Sequence, residues 1–487
     1  MTLQDFFALT AQEVGEFIEK NLDQDPSQLA LDQRNNAILS PLVFTQLKYL
    51  QRSRKKLPSY FAARCIIPPR AYEQSSSEAT ARLKDFSGHR ALDLSCGLGV
   101  DSLSLSRHFD QLTSLEADPV LAEVTRYNFK QLGAANISLQ HQTAEDFLTN
   151  YQGPPFDLIY ADPDRRDEQQ QRQVRLEHCQ PQVLQLMPLL QKHGSRLLLK
   201  LSPLFDLAEA ERLFQPWLQR LTVVSVDNEC KEVWVDCVFG EKKGPVQLEV
   251  KCIRKENVES FAFQPEADAS FSLPHKVPNP RAEDLFLLEP DVAFYKARCL
   301  PALMKDFFPI LEGTYNHEQG YFFTEELPPA PFPGRIFNVK DAFPYKPKAL
   351  KKQLGKEALN ITRRHFPLTV TANPKAAQAV GGRKRFFDLH PNTAGEVGFH
   401  GRKGRGSSSL KAFAYQPSPS LILLRKRSFV FRYSLLYPIP SDRSPQRRKL
   451  TGRLKNRDFS VPSLGPFFSR GADQRKGSSK RQKSEIF

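Results

Sequence analysis

Apolar residues near the start of the chain recur at three- and four-residue steps. They do so in Phe6-Phe-Ala-Leu9, in Val14-Gly-Glu-Phe-Ile18 and again from Leu42 to Leu50, which is the helical period. Pro68-Pro69 closes one segment, and Ser75-Ser-Ser77 supplies N-cap candidates for a helix from Glu78 to about Phe86. The pattern then changes. Short apolar runs at 90–94, 112–116, 137–141, 156–161 and 196–201 alternate with amphipathic stretches at 102–109, 119–132, 144–149 and 175 to about 190. This alternation predicts an α/β protein whose parallel sheet is covered on both faces. Two further runs, 221–226 and 232–239, are separated only by Asp227–Lys231. That gap is too short for a helical crossover, so the pair is predicted to be an antiparallel hairpin. Five parallel strands and a hairpin make a seven-stranded, Rossmann-like sheet.

From Gly240 to about Val370 the pattern is mixed α and β, with strands predicted at 246–253, 321–323 and 335–339 and helices at 292–305 and 347–354. After about Asn373 periodicity fades into interspersed Ser, Arg, Pro, Gly and Phe, the composition of a disordered tail. Charge follows the same division. The chain carries a net +15, but residues 373–487 hold 25 Lys/Arg against 6 Asp/Glu, a net of +19 that leaves residues 1–372 at −4. The tail alone makes the protein basic. The 7 cysteines are scattered and never spaced Cys-x-x-Cys. That predicts reduced cytoplasmic thiols and no structural zinc. The first residues show no secretory signal, and no run reaches the roughly 18 apolar residues of a membrane span.

The chemistry begins at Asp93-Leu-Ser-Cys-Gly97-Leu-Gly-Val-Asp101, which joins a predicted strand to a predicted helix. Gly97 and Gly99 allow a sharp turn and close approach of a ligand. Backbone N–H groups and a helix start then face it. Asp93, Ser95, Gly97, Gly99 and Asp101 are the candidate cofactor residues of this loop. Glu116, with Ala117 beside it, ends the second strand 17 residues beyond Gly99. That is near the ~20-residue offset at which a carboxylate meets ribose hydroxyls. Asp118 reads as a helix cap. After the third strand, Glu145 or Asp146 is a candidate acceptor for an adenine amine, or else an ordinary acid of a helix start. A pyrophosphate cofactor calls for a third glycine, and Ser102 stands in its place. S-adenosylmethionine fits better, its amino-acid part held by Asp93 and loop amides, and a dehydrogenase is disfavoured.

The fourth strand opens into Asp162-Pro-Asp-Arg-Arg-Asp167, at the sheet edge where open α/β folds bind ligands. Asp162 and Pro163 are the catalytic candidates, as acceptors that orient an exocyclic amine for in-line transfer. Arg165 and Arg166 are candidates for holding phosphate or a carboxylate, the alternative being a salt-bridged surface turn. Lys200, near the end of the fifth strand in Lys200-Leu-Ser-Pro203, is a substrate candidate or a snorkelling side chain. Glu73-Gln74 and Thr80 are placed to close over the cofactor or to serve as caps.

These segments, with Glu73-Gln-Ser-Ser-Ser-Glu-Ala-Thr-Ala81, resemble the bacterial class I methyltransferases that carry a THUMP-like C-terminal domain. Leu287–Ala297 and Asn316–Phe323 resemble that family's ferredoxin-like part. Phe332–Phe337 and Ala358–Leu368 resemble its THUMP-like part. The resemblance implies a helical region at 1–85, the methyltransferase domain at 86–242, a ferredoxin-like domain at 243–330 and a THUMP-like domain at 331–372. It also implies S-adenosylmethionine as cofactor and structured RNA, tRNA or rRNA, as substrate. Two departures stand out. The Asp-Pro-x-Arg loop resembles the Asp/Asn-Pro-Pro-Tyr loop of base-amine methyltransferases but has Arg165 where the stacking aromatic belongs. The family's closing helix and strands are replaced after Val370 by the basic stretch, which is either an out-of-frame translation or an RNA-binding arm. A methyltransferase for a protein or small molecule, and a non-catalytic binder of cofactor or RNA, are the competing functional readings.

Overall fold

The computed structural model describes residues 1–31, 40–165, 176–240, 244–255, 257–264, 285–307 and 331–344. It also describes Leu327 and the short strands at 315–316, 322–324, 360–363, 410–415 and 420–426. These residues fall within one compact unit, Met1–Ser428. Arg166, the predicted helix at 347–354 and residues 427–487 lie outside the described residues.

The strands, in chain order, are β1 (Gly88–Asp93), β2 (Phe109–Glu116), β3 (Ile137–His141), β4 (Leu158–Ala161), β5 (Asp164–Arg165), β6 (Cys179–Gln180), β7 (Arg196–Leu201), β8 (Leu218–Val226) and β9 (Glu229–Val238). They continue with β10 (Gln247–Arg254), β11 (Asn257–Phe263), β12 (Phe286–Pro290), β13 (Tyr315–Asn316), β14 (Phe322–Thr324), β15 (Gly334–Pro344), β16 (Asn360–Arg363), β17 (Leu410–Tyr415) and β18 (Ser420–Lys426). The main sheet runs β11-β10-β8-β9-β7-β4-β1-β2-β3. Neighbours from β3 to β7 are parallel, and β9 enters antiparallel between β7 and β8. Because the hairpin folds inward, β8 keeps an open outer edge. β10 fills it in parallel, and β11 closes it antiparallel.

The sheet therefore has nine strands instead of the predicted seven, and residues 247–263 belong to it, not to a domain beginning at 243. The alternation in β10 explains the attachment. Val250 and Cys252 are fully buried, in a core shared with Val223 of β8 and Val235 of β9. Such fully buried rows favour extending an existing sheet over building a new one. The predicted helix at 292–305 is instead two, Val292–Ala297 and Leu300–Phe307, separated at Arg298, whose φ of +56° is left-handed.

The second sheet runs β13-β14-β12-β15-β18-β17-β16. β17 and β18 pair antiparallel, and β18 pairs with β15. The reading of 373–487 as disordered is thus corrected for 410–415 and 420–426. Leu421-Ile-Leu-Leu424 is a compact apolar run of the length and branching that suit a strand. The surrounding arginines obscured it.

Candidate cofactor and substrate site

The ends of β1, β2 and β4 bring the loop residues together. Asp93, at the end of β1, is fully buried. One of its oxygens accepts the Ser95 N–H (2.9 Å) and the other the Ser102 hydroxyl (2.5 Å). Burial pushes its carboxyl up to about 7, against the pull of those two donors. Gly97 (φ +55°) and Gly99 (φ +83°) make the turn. A Cβ at Gly99 would meet the Phe129 ring at 2.5 Å, so only glycine lets the loop lie on the helix Pro119–Gln131. A Cβ at Gly97 would meet nothing within 4 Å, so that side of the loop opens onto free space. The Thr125 hydroxyl donates to the Gly97 carbonyl (2.8 Å), and the Tyr60 hydroxyl donates to that of Leu98 (2.9 Å). The N-terminal helical region thus braces the loop from behind.

Glu116 accepts the Gly97 N–H and the Asp118 N–H, each at 2.8 Å and on separate oxygens. Each oxygen keeps a further lone pair, and Ala117 beside it is exposed. Burial raises the Glu116 carboxyl above its usual range. Asp118 caps the next helix, as expected, through Val120 and Leu121 N–H. Glu145 accepts the Gln182 N–H (3.1 Å), and Asp146 accepts the Thr143 hydroxyl at the helix start (2.7 Å). Both carboxylates are therefore engaged in local structure.

On the substrate side, the Asp162 N–H donates to the Ser95 hydroxyl (2.7 Å), which locks the β4 loop against the β1 loop. The Asp162 carboxylate, about a third exposed, pairs with Lys200 Nζ at 2.5 Å. Pro163 is half-buried. The backbone of Arg165 lies in β5, which pairs antiparallel with β6, opposite Cys179. Burial pushes the Asp162 carboxyl up to about 6. Lys200 lowers it, and the nearby Asp101 and Glu232 raise it.

Lys200 belongs to a buried network whose other members were not foreseen. Its ammonium donates to the Ser76 hydroxyl (2.7 Å) and stands 3.7 Å from Asp101. Asp101 also pairs with Lys84 (2.9 Å), a wholly buried lysine that pairs in turn with Glu232 of β9 (3.0 Å). The Trp234 indole N–H completes Glu232 (2.7 Å), and the Lys84 ammonium sits 4.8 Å from that ring's centroid. Burial alone would raise Asp101, but Lys84 and Lys200 hold it well below the usual carboxylate range. Burial alone would lower Lys200, and its three carboxylate neighbours carry it above its ordinary value. A lysine and a glutamate inside apolar segments were the available signal. Their pairing was not readable, because Lys84 and Glu232 are 148 positions apart.

Among the described residues no helix is long and apolar enough to cross a membrane, and no group of His, Cys, Asp or Glu is arranged to hold a metal.

Comparison with known proteins follows this geometry. A "putative methyltransferase" from Porphyromonas gingivalis W83, known from its crystal structure, matches 86% of this chain and 98% of its own with a TM-score of 0.65 and 23% identity. A family model described as THUMP domain-like matches residues 334–384. The chain has the class I methyltransferase fold and a THUMP-like domain. The THUMP-like match runs past residue 372, into the stretch that composition assigned to the tail. A second family, described as conserved hypothetical protein 95, matches residues 79–185, the segment that carries the loops of β1, β2 and β4 in this methyltransferase fold. An uncharacterized RNA methyltransferase of Enterococcus faecalis is 34% identical over 110 residues, 20% of this chain and 24% of its own. The 23S rRNA (uracil(1939)-C(5))-methyltransferase RlmD of Pectobacterium atrosepticum is 33% identical over 95 residues, 19% and 21%. The chain thus spans less than a quarter of the length of these curated relatives.

Proposed function

We propose that this protein is an S-adenosylmethionine-dependent methyltransferase that acts on RNA, rRNA or tRNA. The observation that carries the reading is the direct hydrogen bond between Asp162 and Ser95. It sets a carboxylate with a raised pKa at the edge of a loop built to receive a cofactor. The residues suit a cationic group. Among the described residues Asp101, Asp162 and Glu232 pair with the cations Lys84 and Lys200, and Asp93 adds a further carboxyl, so the cluster holds a surplus of acid. Asp93 and Ser95 would hold the amino-acid part of the cofactor, Gly97 and Gly99 would give it room, and Glu116 with Ala117 would bind the ribose. Asp101 would act from behind the loop, through the ion-pair network. Glu145 or Asp146 would stand at the adenine, although each carboxylate already accepts a hydrogen bond, from Gln182 N–H and from Thr143 respectively.

The bound cofactor supplies an electrophilic methyl group. Asp162 orients the nucleophile and, at its raised pKa, accepts the proton released on transfer. Pro163 offers a second acceptor through its carbonyl. Lys200, tied to Asp162 and Ser76, holds that carboxylate in place, and Arg165 and Arg166 would be the contacts to the substrate strand that the sequence suggests. RNA is supported by the THUMP-like segment and by the names of the two partial relatives. The seven free thiols accord with a cytoplasmic setting.

The test is transfer of a labelled methyl group from S-adenosylmethionine into total cellular RNA, protein and small-molecule fractions. Label in RNA that disappears with Asp162→Ala is expected. Label only in protein or small molecules would overturn the substrate, and cofactor binding with no transfer to any fraction would overturn the enzyme.

A further inference from the structure

The acidic character of residues 1–372 is not uniform. Between Pro41 and Tyr72 the chain has seven Lys or Arg and no Asp or Glu. Five of the seven lie on the helix Pro41–Lys56. Lys48, Arg52 and Lys56 follow one another at four-residue steps, so they share a face at about 5.4 Å per turn. Lys48, Arg52 and Lys55 are exposed. Two tyrosines sit among them. The Arg52 guanidinium lies 4.9 Å from the Tyr49 ring centroid and 5.1 Å from that of Tyr72, and the two rings meet edge to face at 5.5 Å.

Lys56 stands at the inner end of the strip. Its ammonium donates to the Tyr72 carbonyl and lies 4.6 Å from the Tyr72 ring centroid. No carboxylate comes within ion-pair distance of it among the described residues. Burial pushes its ammonium down to about 8; Glu73 opposes this, and the positive charges of Lys200, Arg52 and Lys231 add to it. The other buried lysines of the site, Lys84 and Lys200, are each matched by two acids. The segment that follows Tyr72 runs straight to the reacting loop. Gln74 donates to Asp164 (2.8 Å), and Ser76 accepts from Lys200, which pairs with Asp162.

We propose that the Lys48–Arg52–Lys55–Lys56 face, with Tyr49, is a track for the RNA backbone that leads the substrate strand to Asp162. The inference rests on the RNA reading above and adds where the strand lies. Cations spaced along one face neutralise successive phosphates, and the half-buried Tyr49 ring, backed by the buried Tyr72, offers a stacking surface to an unpaired base. A phosphate beside Lys56 would also relieve the repulsion it suffers from Lys200, Arg52 and Lys231. Arg52 is held by Glu73 (2.7 Å) in the free protein, so RNA would compete for it while Lys48, Lys55 and Lys56 stand ready.

The experiment uses the full chain, its basic tail included. Binding of a fluorescent single-stranded RNA pool is measured against salt for the parent, for Lys48→Gln/Lys55→Gln/Lys56→Gln and for a control, Lys20→Gln/Lys130→Gln/Lys192→Gln, that removes three cations from other helices. The track variant is expected to bind about tenfold or more weakly, with a log–log salt slope smaller by about 2, as for three lost contacts to a single strand. Its cofactor dissociation constant should stay within twofold of the parent, which also shows that it folds. In the transfer assay its KM for RNA should rise with kcat within about twofold. If the track and control variants lose the same affinity and slope, or if the exposed single variant Lys48→Gln and the triple variant both match the parent, the track is overturned and the RNA reading stands. A parent that binds cofactor but not RNA overturns the RNA reading itself.

Discussion

Two charged regions of the main sheet, which share β7 and β9, use the same residue types to different ends. On the β7–β9–β8–β10 side, Asp236 receives both Nε and Nη2 of Arg196 at 2.6 Å and lies 3.4 Å from Arg220. Arg220 reaches Glu249 (3.5 Å), which pairs with Lys251 (3.6 Å), and Lys251 reaches Asp85 (3.4 Å). Three cations meet three anions, with the Phe86 ring under both guanidiniums. Where the segments after β1 and β4 meet β7 and β9 the count does not close. Two lysines face three carboxylates, and Asp93 is a fourth acid in the same surroundings. A balanced set holds strands together, whereas a surplus of buried acid is a cost to the empty fold that a cationic ligand removes. Charge imbalance, not charge content, separates the site from its scaffold.

The comparison breaks most visibly at Asp162. Asp162→Ala is expected to lower methyl transfer by about 10³-fold, within the range for loss of a general base, and to change cofactor affinity by less than tenfold. Single-turnover rates and calorimetry separate the two effects. If transfer survives within tenfold, the acid surplus serves binding alone.

Next in size, Asp236→Ala unbalances the structural set and leaves Arg196 and Arg220 short of an anion. A loss of about 3 kcal/mol in unfolding free energy is expected, read from denaturant midpoints. Cofactor affinity of the folded fraction should not move. A parallel loss of affinity would mean that the two regions are one.

Asp93→Asn reverses the experiment by moving the site towards balance. Cofactor binding should weaken by about 30-fold, or about 2 kcal/mol. The ligand-free protein should respond less to pH. In the parent, Asp93 has a folded pKa of about 7, above its unfolded value. Its stabilising effect is therefore complete in acid and is lost as pH rises towards and through 7. Thermal unfolding of parent and variant between pH 5 and pH 8 checks this, and parallel curves would remove Asp93 from the buried acid set.

The smallest expected effect is on the parent's own cofactor affinity. A cation favours the ionised form of each carboxyl, so bound-state pKa values fall below the free values of about 7 for Asp93 and about 6 for Asp162. Affinity should therefore rise with pH through those values, by up to roughly tenfold between pH 6 and pH 8. A flat profile would show that the surplus charge is screened.

Much of this was legible beforehand, and what was missed has a common cause. The alternation of runs from 90 to 201 predicted the parallel strands, and the five-residue gap after Val226 predicted the β8–β9 hairpin, since both depend on near neighbours. Gly97, Gly99 and Glu116 were readable as candidates because a turn after a strand and an acid at the next strand's end are local markers, and the fold joins Gly97 to Glu116. β10 and β11 were assigned to another domain because nothing in their own residues says which edge they join. β17 and β18 were lost among arginines whose charge dominated the composition.

By itself the sequence determined the alternation of strands and helices from 90 to 201, the β8–β9 hairpin and the loop at Asp93–Asp101, all set by near neighbours in the chain. Only the tertiary structure decided the acid surplus and how it is held. Ser76, Lys84, Asp101, Asp162, Lys200 and Glu232 come from separate segments, and Lys84 meets Glu232 across 148 positions. They share charge because folding removes them together from water, where each would otherwise have been solvated alone. The loop that began as two glycines after a strand is thus one wall of a buried ionic network, and its chemistry depends on the whole of it.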